Sequence, residues 1–188
     1  MLLVAFLSLP SVRGRPLDRA ERALLGPMIR RSDNAAAERV KTIIGGQGLR
    51  LLAYRAGMRR FRPAPGILGV SSIDAADQAR YFLRIDRLAP ARHRSYAMGL
   101  LASITPSQRW GIARARPAGW HLAFKGGWGR VTRTGWVDHQ VGLFTRGDER
   151  LSVAILTDLN RSHAYGKETL RGVCARLLRG LSSAEYVP

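Results

Sequence analysis

Cysteine, histidine and long apolar runs are scarce in this chain of 188 residues. Its single cysteine, Cys174, excludes an internal disulfide, and its apolar neighbours favour a small core residue there. No stretch reaches the ~20 consecutive apolar residues that a membrane-spanning helix needs, so we expect no transmembrane segment. The four histidines are scattered and form no metal-ligand cluster with the cysteine, so we expect neither a metal nor another cofactor.

Acidic residues are also few, since 13 Asp and Glu stand against 31 Lys and Arg, a formal net charge of +18. Such a charge is typical of proteins that bind nucleic acid or an anionic surface. The basic residues, however, are spread over the whole length, and only Lys41, Lys125 and Lys167 are lysines. This pattern is more typical of genome composition than of a binding patch. We therefore expect no nucleic-acid partner and keep a basic nucleic-acid-binding protein as the last alternative.

Hydrophobic periodicity divides the chain into a helical part and a strand-rich part. Helices are predicted at 1–8, at 18–29, from Asn34 to a stop at Gly45-Gly46, after a Ser72 cap, and after Pro90. Strand-like runs at 120–125, 136–145 and 151–158 are joined by short turns, which indicate an antiparallel meander. A closing helix at 165–181 carries an apolar stripe made of Leu170, Val173, Cys174, Leu177, Leu178 and Leu181. The sequence therefore predicts an α+β fold, a helical block followed by a three-stranded antiparallel sheet and a covering helix.

The triplet Ser32-Asp33-Asn34 joins two of the predicted helices. Taken alone it is a common helix start, because a short side-chain oxygen of Asp33 or Asn34 caps free amides of the first turn. A second feature changes this interpretation, since the first strand-like run ends in Lys125-Gly126-Gly127. Together the triplets resemble two motifs, S-D-N and K-T-G, of the penicillin-recognising serine enzymes. They stand in the order, and on the elements, of class A β-lactamases and D,D-peptidases.

This resemblance implies two catalytic residues. In the family the S-D-N serine relays a proton to the leaving nitrogen, and the K-T-G lysine lies on the edge strand, fixes that serine and attracts the substrate carboxylate. The matching positions are Ser32 and Lys125. Asp33 is expected to brace its loop rather than to take part in the chemistry.

The resemblance also implies a substrate-binding set. Asn34 matches the residue that holds a substrate carbonyl, and Gly126 stands where the family has Thr or Ser. Gly127 matches the small position that lets a substrate lie along the strand. The backbone N–H of Trp128 would line the oxyanion hole, whereas its side chain is expected to be a core or lid aromatic.

Three departures from the family pattern limit what this chain is expected to do. No serine is followed by lysine three positions later, so the S-x-x-K nucleophile is absent. No glutamate lies between Glu38 and Glu149 to activate a deacylating water, and Gly126 lacks a hydroxyl donor. Since Met1 to Leu7 resembles the family's central helix already under way, we interpret 1–188 as a single β-lactamase-like domain without its N-terminal strands and nucleophile motif. The chain alone is expected to be inactive.

We therefore expect a serine hydrolase that acts on β-lactam or D-Ala-D-Ala-type amides through an acyl-serine intermediate. The expected partner is a small-molecule β-lactam or a peptidoglycan stem peptide, and the complete form is expected to be a monomer. Export to the periplasm or outside the cell is expected, although the apolar start of the chain makes a poor signal peptide. The alternative is a non-catalytic relative that binds peptidoglycan peptides or a partner protein through the same cleft.

Overall fold

The computed structural model describes residues 1–64, 71–132 and 135–181. The α-helices in these residues, numbered α1 to α8, are Leu2–Leu7, Pro10–Arg13, Arg19–Arg30, Asn34–Arg55, Ala75–Leu83, Ile85–Leu88, Arg94–Ala102 and His163–Leu177. Short 3-10 turns cover Ala91–His93, Pro106–Gln108 and Gly111–Ala115. The strands β1 to β3 are His121–Thr132, Gly135–Arg146 and Glu149–Asn160. Helices thus precede a sheet that a last helix covers, which confirms the predicted α+β class.

The three strands form one antiparallel sheet in the order β1-β2-β3. Within the described part of the chain, β1 therefore has one edge without a strand partner. β1 is longer than the predicted run, because Gly126, Gly127 and Gly129 lie opposite Gln140, His139 and Val137 of β2. Glycine weakens an isolated strand, but pairing with a long neighbour supplies the backbone bonds that keep it extended.

Local capping explains where the helices before the sheet begin. At the start of α3 the Asp18 carboxylate accepts from the Glu21 N–H at 2.7 Å, while the Glu21 carboxylate accepts from the Asp18 N–H at 2.9 Å. At the start of α5 the cap is Asp74, whose side chain accepts from the Asp77 N–H at 3.1 Å. The prediction that Ser72 caps this helix is wrong, because Asp74 is the residue that directly precedes the first turn.

Helix α4 is interrupted where the two glycines predict a stop. Gly45 has φ +61° and ψ 175°, a conformation outside the helical region that only glycine adopts cheaply. The chain returns to helix directly afterwards and continues to Arg55. The predicted stop is therefore a break within one long element rather than its end.

The core lies between the first helices, the sheet and α8. Helix α1 is buried from Leu3 to Leu7 and packs against α4. Helix α8 covers the sheet through positions four residues apart, namely Gly166, Leu170, Cys174 and Leu178, which are all buried. The predicted apolar stripe is too wide, because Val173 and Leu177 are 36% and 62% exposed on the flank of this face. No helix within the described residues is long and apolar enough to cross a bilayer.

Candidate active site

Ser32 lies in the short link between α3 and α4. Its backbone has φ +55°, an uncommon conformation for a residue with a side chain. Asp33 follows as the N-cap of α4, since its carboxylate accepts from the Ala36 N–H at 2.8 Å. The Asp33 carboxylate therefore binds the local backbone, as expected for a residue that braces its loop. Asn34 is the exposed first residue of the helix. This link presents the Ser32 hydroxyl toward the sheet.

Lys125 reaches Ser32 from β1, 93 residues further along the chain. Its Nζ donates to Ser32 Oγ at 2.5 Å and to the carbonyl oxygen of Gly126 at 2.5 Å. Burial lowers the pKa of the Lys125 ammonium from its usual 10.5 to about 8. A lysine with such a pKa exchanges protons near neutral pH. The fold thus brings together the two residues that the sequence singles out as catalytic candidates.

Gln108 completes this hydrogen-bonded chain. Ser32 Oγ donates to Gln108 Oε1 at 2.9 Å, and Gln108 Nε2 donates to the Arg31 carbonyl oxygen at 2.7 Å. The surrounding loop is tied to the end of α3, since the Thr105 N–H donates to the Arg30 carbonyl oxygen at 3.0 Å. Sequence reasoning missed Gln108, because it predicts only an irregular loop between Thr105 and Gly119 and no motif marks this residue.

The two glycines that follow Lys125 on β1 have different surroundings: Gly127 has open space beside it, whereas Gly126 lies against other side chains. A Cβ added to Gly127 would meet no atom within 4 Å, so this position leaves room along the strand. A Cβ added to Gly126 would stand 3.4 Å from the Trp110 ring and 3.6 Å from Gln140. The Trp128 side chain is 36% exposed at the same edge. The four predicted substrate-binding residues therefore divide into Asn34 at the start of α4 and the Gly126-Gly127-Trp128 run on β1.

Three tryptophans and one histidine form a cluster on this side of β1, called here the indole cluster (Trp110, Trp128, Trp136 and His163). The His163 ring stacks on Trp128 with centroids 5.8 Å apart and on Trp136 at 5.6 Å. Trp110 meets both Trp128 and His163 edge-on, at 5.5 Å and 5.2 Å. The Trp128 side chain, expected to be a core or lid aromatic, packs in this partly exposed cluster together with Trp136.

The buried carboxylate of Asp138 contacts the histidine of the indole cluster. Asp138 is fully buried, and its Oδ1 lies 2.5 Å from His163 Nδ1. Its Oδ2 accepts from Asn160 Nδ2 at 3.2 Å, and Gly166 leaves the space that this carboxylate needs. Sequence reasoning missed the pair, because 25 residues and a whole strand separate Asp138 from His163. No group of three or more His, Cys, Asp or Glu that could hold a metal ion occurs in the described ranges.

The fold is that of class A β-lactamases and penicillin-binding proteins. The chain is similar to the solved structure of PBP-A, with a TM-score of 0.73 and 16% identity over 96% of this chain and 77% of that one. It is also similar to the chromosome-encoded β-lactamase of Vibrio parahaemolyticus (TM-score 0.70, 14% identity, 87% of this chain, 65% of that one). A class A β-lactamase from Mycobacterium abscessus gives a TM-score of 0.69 with 18% identity, over 86% of this chain and 65% of that one.

The family assignment comes from the sequence. The family model described as "Beta-lactamase enzyme family" matches residues 20–180, and the chain belongs to that family. No curated protein sequence matches it. The chain spans slightly less than two thirds of the length of the two β-lactamases.

Proposed function

We propose that the protein works as a serine hydrolase of the β-lactamase type, on β-lactam or D-Ala-D-Ala-type amides, through an acyl-serine intermediate. The observation that carries the proposal is the 2.5 Å contact between Lys125 Nζ and Ser32 Oγ beside the free edge of β1. A hydroxyl held by a lysine is the arrangement that proton transfer to a leaving nitrogen requires.

The proposed roles follow from the contacts. As a nucleophilic serine gives up its hydroxyl proton to a general base and adds to the carbonyl carbon, the C–N bond breaks. The leaving nitrogen takes the Ser32 hydroxyl proton, Lys125 returns one to Ser32 Oγ, and the proton released by the nucleophile restores the Lys125 ammonium. For this step the hydroxyl turns from Gln108 Oε1 toward the substrate. Asn34, Gly126 and Gly127 hold the substrate, and the Trp128 N–H stabilises the oxyanion. Residues 1–188 contain no Ser-x-x-Lys, so the nucleophilic serine is not assigned within them.

Slow deacylation is part of the proposal. No glutamate stands between Glu38 and Glu149, so the acyl-enzyme lacks the base that class A enzymes use on the deacylating water. A PBP-A variant of the same fold, 16% identical to this chain, is described as an acyl-enzyme complex with penicillin G. We therefore expect the protein, which we also expect to be exported, to retain a penicillin rather than to hydrolyse it quickly.

The test is covalent labelling by a fluorescent penicillin, measured on denaturing gels. Both the 188-residue chain and the chain extended by the in-frame codons before Met1 are used. Wherever labelling occurs, Ser32→Ala and Lys125→Ala should each slow it by at least ~100-fold, as loss of a proton-transfer partner does. Matched controls are Ser95→Ala, at an exposed serine on α7, and Lys167→Ala on α8. Unchanged labelling in both site variants would refute the proposed roles.

The missing Ser-x-x-Lys also favours a second candidate, a non-catalytic relative that binds peptidoglycan peptides through the same cleft. Reversible binding of a penicillin without covalent labelling in either chain would select this function.

A further inference from the structure

We propose that a cavity at the start of β1 binds a small amphipathic anion, an apolar body that carries one carboxylate or phosphate group. The volume of the cavity is about 370 Å³, which lies within the range of small-molecule sites. Neither Ser32 nor Lys125 lines it. The inference therefore goes beyond the proposed function and does not depend on it.

The cavity lies between the second half of α7 and the paired ends of β1 and β2. Met98 and Ala102 of α7 form one side of it. The other side includes two antiparallel residue pairs of the sheet, His121 with Thr145 and Ala123 with Leu143. Since Ala102 and His121 are both exposed, the cavity opens to solvent.

The wall of the cavity contains basic residues but no acidic ones. Arg109, Arg116 and His121 line it, and no Asp or Glu is among its described lining residues. Each arginine donates to one carbonyl oxygen, Arg109 to that of Ala102 at 3.1 Å and Arg116 to that of Trp120. Neither arginine takes part in an ion pair within the described part of the chain. Because a guanidinium has five N–H donors, both arginines have donors left for an anion.

A buried donor without a partner lies in the same wall. Trp120 is 2% exposed, and its indole Nε1 has no hydrogen-bond partner among residues 1–64, 71–132 and 135–181. A buried donor left unpaired is costly, and in native structures it usually has an acceptor, which a water or an ion can provide. An anion in the cavity would bring acceptor oxygens to the wall that Trp120 forms.

Apolar side chains make up much of the remaining wall and favour a ligand with an apolar body. Leu122 and Leu143 are buried there, and the Trp120 ring is held by Arg146, whose guanidinium lies 4.8 Å from the ring centroid. A bare ion such as inorganic phosphate would leave these surfaces in contact with water, whereas an aromatic or aliphatic body would cover them. Two arginines without ion partners beside an apolar wall therefore favour an amphipathic anion over a free ion or a neutral molecule.

The test uses four ligands that separate the charge from the apolar body, namely 2-naphthoate, 2-naphthyl phosphate, neutral 2-naphthamide and inorganic phosphate. Binding is measured by NMR on the indole N–H signals of the four tryptophans in the ¹⁵N-tryptophan-labelled chain. A salt concentration of at least ~0.15 M is used, because the net charge of +18 attracts any anion nonspecifically.

We expect 2-naphthoate, 2-naphthyl phosphate or both to bind at least about tenfold more tightly than 2-naphthamide and inorganic phosphate. Tenfold is the effect of about one charge-assisted hydrogen bond. The largest shift is expected at the Trp120 N–H, because this tryptophan lines the cavity. The tighter of the two naphthyl anions identifies the preferred charged group.

Two kinds of variant test the cause of the binding. Arg109→Gln and Arg116→Gln each remove one charge from the cavity and should each weaken the naphthyl anion about tenfold. Arg92→Gln, at an exposed position outside the cavity, removes the same charge and should leave binding unchanged. Ala102→Leu keeps both arginines but fills space in the cavity, so it should also weaken the naphthyl anion about tenfold. Ala91→Leu, which is exposed and outside the cavity, should not.

Equal binding of the naphthyl anions and naphthamide would overturn the inference, and so would equally tight binding of inorganic phosphate or no binding at all. Largest shifts at Trp110, Trp128 or Trp136 would place the ligand at the indole cluster instead and would also overturn it. Equal losses in Arg92→Gln and in the two cavity variants would mean nonspecific attraction alone and would refute the site. None of these results depends on whether a penicillin labels the protein.

Discussion

Replacing Lys125 with methionine should change how the stability of the protein depends on pH. In the folded protein, burial lowers the pKa of Lys125 from 10.5 to about 8. In the unfolded chain the side chain returns to its ordinary pKa. Between about pH 8 and pH 10.5 the unfolded state therefore binds more protons than the folded state, and the free energy of unfolding rises with pH over that range.

The size of the effect follows from the same two pKa values. A fall from 10.5 to about 8 corresponds to a cost of about 3 kcal/mol for keeping the charged form in the folded state below pH 8. That cost disappears by pH 10.5, where the lysine is neutral in both states. The Lys125→Met variant has no such group, so its stability relative to wild type should fall by about 3 kcal/mol across this range.

The assay is urea unfolding of both proteins at several pH values from 7 to 10.5. Shared groups that do not interact with Lys125 cancel in the difference, including the arginines that give the chain its positive charge. The buried amine of Met1 does interact with it, since burial and then Lys125 lower the pKa of this amine from 8.0 to about 5, so the comparison rests on the range above pH 8. Lys167→Met, on α8, serves as the matched control and should give a difference that stays level with pH. A level difference for Lys125→Met as well, or one of opposite sign, would refute the burial of the charged ammonium.

Two further changes test the packing around the site. Gly166→Ala should lower the free energy of unfolding in urea by about 3 kcal/mol or more, because the added Cβ would overlap the Asp138 carboxylate. Gly172→Ala, on the same helix, has open space and should be neutral or stabilising by up to ~1 kcal/mol. Equal effects of the two changes would contradict the buried contact between Asp138 and His163. Gln108→Leu should lower the free energy of unfolding by about 2 kcal/mol, because the hydroxyl and carbonyl groups that it holds lose their partner. Ser107→Ala, its exposed neighbour, should change little, and an equally small effect of Gln108→Leu would count against the proposed hydrogen-bonded chain.

Much of the helical part could be predicted from short-range signals. A helix is predicted to begin at residue 18, and Asp18 is its N-cap, with both hydrogen bonds of a capping box to Glu21 present. Asp33 or Asn34 is predicted to cap the next helix, and Asp33 is the residue that does so. The width of the apolar face of α8 was harder to predict, because Val173 and Leu177 satisfy helical periodicity but lie beyond the surface that the sheet covers.

Of the candidate site, only the residues that belong to the two motifs could be predicted. Ser32 and Lys125 were singled out from separate triplets, and the fold places their side chains 2.5 Å apart. Gln108 and His163 belong to no motif, and nothing in their local sequence distinguishes them from other loop and helix residues.

The sequence by itself determined where α3 and α4 begin, the order of helices and strands, and the two triplets, because these depend on residues within a few positions of one another. Only the tertiary structure decided that Gln108 holds Ser32, that Asp138 holds His163, and that the Trp128 ring lies near the Lys125 ammonium. The physical reason is that these contacts join residues far apart in the chain. They form only when the register of β1 on β2 and the packing of α8 on the sheet bring those residues together.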